Sequence, residues 1–243
     1  MTPLLITIGP SHYCEKARWA LERARIPYRE STHAPGLHLL RSVPGGGRRT
    51  PLLMADGQVI ADSTEILSWV DRRTPAERRL FPDEDAVREQ VVAWESRFDD
   101  ELGPEVRRLA HFHLLPAKET ALSVLTQGNP RAEAAGFRAG FPLVRRWMMR
   151  SLKVTAAGAE RAATKVRAVF DAVTAGLDDG RRYLVGERFS AADLTFGALS
   201  APLLQPKNPD LVGLPAAFTT YVRELRALPA GRYGLRLLRD ERG

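Results

Sequence analysis

The sequence predicts an α/β domain over residues 1–78 followed by an all-helical domain over residues 84–243. Three observations lead there. The first eighty residues alternate short apolar runs with helical spacing, strand signals nearly vanish after Glu84, and a late helix begins with a capping box. A change from mixed to purely helical periodicity marks a domain boundary. Leu80-Phe81-Pro82-Asp83 is the expected linker.

Leu4 to Ile8 is a short apolar run stopped by Gly9-Pro10, as a buried strand would be. Cys14 to Arg25 sets Ala17, Ala20, Leu21 and Ala24 at helical spacing, and Ile26-Pro27 closes the helix. Tyr28 to Thr32 reads as a second strand, and a short helix is expected between Pro35 and Ser42. The loop Val43-Pro44-Gly45-Gly46-Gly47 then leads into Arg48-Arg49-Thr50-Pro51. Pro51 to Met54 and Val59 to Ala61 flank Asp56-Gly57, which predicts a hairpin because a type I′ turn needs positive φ at both central residues. Ser63 stands at an expected N-cap position ahead of Ile66, Leu67 and Val70.

Helical periodicity covers Ala86–Leu115, Arg131–Leu152, Ala159–Leu177, Ala191–Leu204 and Ala216–Leu228. At Ser190-Ala191-Ala192-Asp193, Ser190 is expected to cap residue 193 while Asp193 reaches back to residue 190. Phe189 and Leu194 occupy the staple positions. This box is read as structural.

The formal charge of +7 raises the question of nucleic acid. Residues 1–80 carry 12 Lys and Arg against 8 Asp and Glu, and residues 81–243 carry 24 against 21. Such interleaved charge lacks the basic face of a nucleic-acid binder, apart from a cluster at Arg145, Arg146, Arg150 and Lys153. Neither nucleic acid nor a membrane is an expected partner. The apolar run near the N-terminus is too short for a secretion signal or a membrane span, so a cytoplasmic location is expected. A single cysteine excludes an internal disulfide, and no Cys/His set has zinc-ligand spacing, so no metal is expected.

Ser11-His12-Tyr13-Cys14 lies between a strand and a helix, where unsatisfied N–H groups and the helix dipole favour an anion. Read with two later stretches, it carries a resemblance. SHYCEKARWALERARIPY, RRTPLL followed by IADSTEIL, and YLVGERFSAADLTFGAL resemble, in order and spacing, three motifs of the cytosolic glutathione transferase superfamily. The resemblance spans nearly the whole chain. It implies a thioredoxin-like N-terminal domain, an all-helical second domain, a homodimer, and glutathione as co-substrate beside a small electrophile.

It also implies roles. Pro51 would be cis, letting Thr50 pair its backbone with the cysteinyl amide of glutathione. Ser63 would take the γ-glutamyl carboxylate and Asp62 the α-amino group. Arg41 and Arg49 match cations placed near the glycyl carboxylate, and Tyr13 a residue packed against the site. Ser11 falls at the N-terminal nucleophile position of related turns, where its hydroxyl would donate to the glutathione sulfur and favour the thiolate. Cys14, where a glutaredoxin has its second thiol, is the other candidate catalytic group. His12 is expected to be an exposed turn residue. The acceptor site is expected between the domains, near Trp94, Phe98, Leu102 and Leu109, although such a stripe is ordinarily core.

The expected function is therefore transfer of the glutathione thiolate to a small electrophile. Two alternatives stand beside it: a non-catalytic transferase-like binding module, and a glutathione-dependent thiol–disulfide oxidoreductase using Cys14.

Overall fold

Four strands, Leu4–Ile8 (β1), Arg29–His33 (β2), Leu52–Ala55 (β3) and Gln58–Ile60 (β4), form one sheet in the order β2-β1-β3-β4. The structure is a computed structural model and describes residues 2–43, 46–47, 49–204 and 213–242. Pro44, Gly45 and Arg48 of the predicted loop lie outside the described residues. β1 runs parallel to β2 and antiparallel to β3, in the register Leu5 opposite Glu30 and Leu53. A parallel pair requires a crossover, and helix α1 (His12–Arg23) supplies it. The β3–β4 hairpin turns at Asp56 and Gly57, with φ of 53° and 74°, as the dipeptide predicts.

The remaining helices in chain order are α2 (Leu39–Ser42), α3 (Ser63–Asp71), α4 (Asp85–Arg97), α5 (Gly103–Leu114), α6 (Lys118–Leu125), α7 (Arg131–Ser151), α8 (Ala156–Gly176), α9 (Ala191–Leu204), α10 (Ala216–Ala227) and α11 (Pro229–Asp240). The fold class is the expected one: a four-stranded mixed sheet with helices, then a helical part. Local bounds differ. α1 begins at His12, two residues before the expected start, because Ser11 caps it. The helix expected over Ala86–Leu115 is interrupted by a π-helical turn at Phe98–Leu102. α11 was not among the expected helices; Pro229 opens it, and proline is well suited to the first turn of a helix.

The chain divides into two compact units. The first holds Met1–Arg79 and Lys118–Arg150, so α6 and α7 cluster with the sheet. Leu5 and Ile6 of β1 and Leu52 and Leu53 of β3 are buried, as are Ala17, Ala20 and Leu21 of α1 and Ile66, Leu67 and Val70 of α3. The turn after α6 comes so close that a Cβ on Gly9 would lie 2.5 Å from the Gln127 carbonyl oxygen, which requires glycine there. Glu133 of α7 accepts from the Ala34 N–H at 2.6 Å and lies 3.0 Å from His33 Nδ1, fastening α7 to the end of β2.

The second unit holds Leu80–Ala117 and Ser151–Gly243. Its centre is α9, buried over nearly its whole length. A helix apolar all round belongs inside. Phe196 of α9 meets Phe98, Phe170 and Tyr233 at ring distances of 5.3, 5.4 and 5.9 Å. Phe98, Leu102 and Leu109 are therefore core residues of this unit. Leu80 and Phe81 are buried, and the Leu80 carbonyl accepts from the Ala191 N–H at 2.9 Å, so the expected linker is packed against the start of α9.

The capping box differs in one detail. Asp193 accepts from the Ser190 N–H at 2.7 Å, as expected, but the Ser190 hydroxyl also donates to that carboxylate, at 2.9 Å. Asp193 takes two more donors, the Leu184 N–H at 2.9 Å and the Tyr233 hydroxyl. The box is thus one arm of a buried polar knot.

Candidate functional site

The first unit brings three predicted site residues to one point, the N-terminus of α1. Ser11 has extended backbone, φ −72° and ψ 121°, and its hydroxyl oxygen accepts from the Cys14 N–H at 3.4 Å. The residue is partly exposed. Thr50 arrives from the segment before β3, through a Thr50–Pro51 peptide that is cis. The Ser11 and Thr50 side chains both lie near enough to the Cys14 thiol to favour its charged form.

Cys14 itself is fully buried. Burial pushes its thiol pKa up, and this outweighs the lowering by Ser11, the Ile8 backbone, Arg18 and Thr50. A nucleophilic cysteine needs access and a depressed pKa. The structure therefore does not support the catalytic role expected of Cys14. Ellman's reagent is expected to leave the thiol unmodified in the native protein and to label it only on unfolding. Cys14→Ala should keep any conjugating activity within about twofold, as for a small core change at a side chain that does not take part in the chemistry. Rapid native labelling would return the thiol to consideration.

His12 is buried rather than exposed, with its ring 4.6 Å from that of Tyr13, which is partly exposed. An exposed histidine free to act as a base is thus not what the turn presents.

At α3 the order of roles changes. Asp62, not Ser63, is the N-cap: its Oδ1 accepts from the Thr64 and Glu65 N–H groups at 2.8 and 3.2 Å. Ser63 is the first helical residue and is buried. Aspartate fits the cap because its short carboxylate reaches the second and third amides and complements the helix dipole. Its charge is thus placed at the α3 N-terminus, and it remains exposed. Arg41 on α2 and Arg49 before Thr50 are exposed, and no hydrogen bond or ion pair among the described residues ties them to the other predicted site residues.

Two cations near the site were not singled out by sequence reading. Lys16 is fully buried, with Nζ donating to Thr64 Oγ1 at 3.1 Å, so the starts of α1 and α3 are linked. Arg18 lies one helical turn after Cys14 and donates to the Gly9 carbonyl at 3.2 Å and to Glu30 at 2.7 Å. It props the β1–α1 turn from behind. Burial disfavours its charge, but Glu30 overcomes this and holds the guanidinium pKa up. The only sequence signal was a basic residue on an otherwise apolar helical face, a weak one because long side chains usually snorkel out. Among the described residues, no group of three or more His, Cys, Asp or Glu is placed to hold a metal.

A mixed four-stranded sheet, with a capped helix after β1 and a cis proline entering β3, joined in one chain to an all-helical part, defines the glutathione transferase class of fold. Comparison bears this out. The glutathione S-transferase N-terminal domain family matches residues 5–78 and the C-terminal domain family residues 153–212. The chain belongs to the cytosolic glutathione transferase superfamily and is a glutathione transferase-like enzyme.

Solved structures agree in fold. A possible glutathione S-transferase from Rhodopseudomonas palustris aligns with a TM-score of 0.61 at 18% identity, over 99% of this chain and 95% of that one. A theta class enzyme from Xanthomonas axonopodis pv. citri, solved with glutathione bound, aligns at 0.55 and 17%, over 96% of each chain. A beta-etherase from Sphingobium aligns at 0.62 and 17%, over 97% of this chain and 99% of that one. A search of curated proteins finds no match.

Proposed function

We propose that this enzyme binds glutathione at the α1 and α3 N-termini and transfers its thiolate to a small electrophile, with Ser11 as the thiolate partner. The observation that carries this reading is the contrast at one turn: Ser11 is a partly exposed residue where the helix begins, and Cys14, three residues on, is fully buried. The decisive sulfur is then the ligand's. A hydrogen bond from Ser11, the N-terminal dipole of α1 and the nearby Arg18 charge all favour a thiolate over a thiol. Thr50 supplies backbone pairing, Asp62 a carboxylate for the α-amino group, and Ser63 a site for the γ-glutamyl carboxylate. Arg41 and Arg49 remain the proposed glycyl-end cations, and Tyr13 a packing wall. A homodimer in the cytoplasm accompanies this reading by family membership. Among the described residues no helix is long and apolar enough to cross a membrane.

Titration calorimetry with glutathione tests the proposal. A single site with a dissociation constant at or below about 1 mM, roughly 4 kcal/mol of binding free energy, is the expected result. No heat up to several times that concentration overturns it. Binding without conjugation of any member of a broad electrophile panel would leave a ligand-binding protein in place of a catalyst.

A further inference from the structure

The second unit carries a groove of about 530 Å³ that the glutathione reading does not use. Arg181 and Arg182, just after α8, line it together with Arg232 and Arg236 of α11. Its volume is that of a small-molecule site.

Three of these guanidinium groups are held in place. Arg181 is gripped by Asp179, through Nε at 2.9 Å and Nη2 at 2.6 Å. Arg236 lies 5.6 Å from the centre of the Tyr183 ring and 5.1 Å from that of Tyr233, and it donates to the Arg182 carbonyl. Arg182 lies against the same Tyr183 ring, at 5.3 Å. Two cations share this ring against one carboxylate, Glu241, at its hydroxyl end.

The surrounding carboxylates are already engaged. Asp179 serves Arg181, Asp240 pairs with Arg239 and is also near the Arg236 and Arg182 charges, and Glu241 takes the Tyr183 hydroxyl and lies 3.6 Å from Arg182. Among the described residues Arg232 and Arg236 form no ion pair. The groove thus holds guanidinium charge in excess of its own counter-ions.

We propose that this groove binds an organic polyphosphate, a small molecule carrying two or more phosphate groups. Guanidinium forks match phosphate oxygens in bidentate geometry. Asp240 also lies on the lining, so a singly charged anion gains little and several phosphate charges are needed to outweigh it. Leu177 and Pro229 offer apolar surface for the organic part.

Calorimetry on the full chain tests this with adenosine triphosphate, inorganic tripolyphosphate, adenosine and a duplex DNA as probes. One saturable site for adenosine triphosphate is expected, with competition by tripolyphosphate and no binding of adenosine. Arg232 is exposed, so Arg232→Gln should fold normally, and it should weaken adenosine triphosphate binding about tenfold or more. Arg232→Glu should abolish it. Glutathione binding should be the same in all three proteins, which separates this site from the one proposed above. The proposal is overturned if neither phosphate compound saturates a site, or if Arg232→Glu binds as the parent does. It is equally overturned if duplex DNA binds more tightly, with stoichiometry set by its length.

Discussion

Replacing Ser11 with alanine is expected to lower kcat/KM for glutathione conjugation by about 10- to 100-fold. That is the range for losing one hydrogen bond to a charged group, roughly 1.5–3 kcal/mol. The loss should fall on the chemical step, with the glutathione dissociation constant little changed, because the bond is worth most to the thiolate. It also has a pH signature. Without the donor the bound thiol holds its proton more tightly, so the rising limb of the rate profile moves to higher pH, by about one unit per 1.4 kcal/mol lost. The deficit should therefore shrink as pH rises.

Ser11 is also a helix cap, so alanine costs stability of about 1 kcal/mol. Ser11→Gly separates the two roles, since glycine as a cap gives up only a few tenths of a kcal/mol while lacking the hydroxyl. Both variants should show the same rate loss and pH displacement. A rate within about twofold of the parent, with an unmoved profile, would remove Ser11 from the mechanism.

The largest stability effect is expected at Asp193. Its carboxylate is fully buried and receives the Leu184 N–H, the Ser190 N–H and hydroxyl, and the Tyr233 hydroxyl. Burial raises its pKa, opposed by those same hydrogen bonds. Asp193→Ala leaves the donors facing a small void, and each buried unsatisfied group costs about 1–3 kcal/mol. Partial relaxation brings the total to roughly 3–5 kcal/mol. In a protein of this size, that corresponds to a Tm lower by about 10 °C or more. Asp193→Asn keeps the volume and part of the acceptor capacity, so it should fall between parent and alanine. Chemical denaturation followed by tryptophan fluorescence measures both. A loss under about 1 kcal/mol for the alanine variant would show that the knot contributes little. Glutathione binding is not expected to change if the protein is assayed well below its melting temperature.

Much of the architecture was legible in local patterns. The Asp56-Gly57 hairpin, the start of α9 at Ala191 and the long helices follow from turn chemistry, capping and periodicity, which act within a few residues. The site was legible by motif rather than by geometry. Asp62 and Ser63 illustrate the limit: both are good caps in isolation, and which becomes the cap depends on where β4 delivers the chain. Lys16 shows the same limit, because its buried amine makes sense only once Thr64, 48 residues later, is beside it.

Ser11-His12-Tyr13-Cys14 divides the two kinds of information most clearly. Its composition and place between strand and helix were enough to mark a helix N-terminus that favours an anion, because that property belongs to the local backbone. Which of its two reactive atoms faces outward was a tertiary matter. Packing in the first unit buries Cys14 fully and leaves Ser11 partly exposed. Residue type and spacing are local quantities, whereas burial, and with it thiol reactivity, is set by segments distant in sequence closing over the same atom.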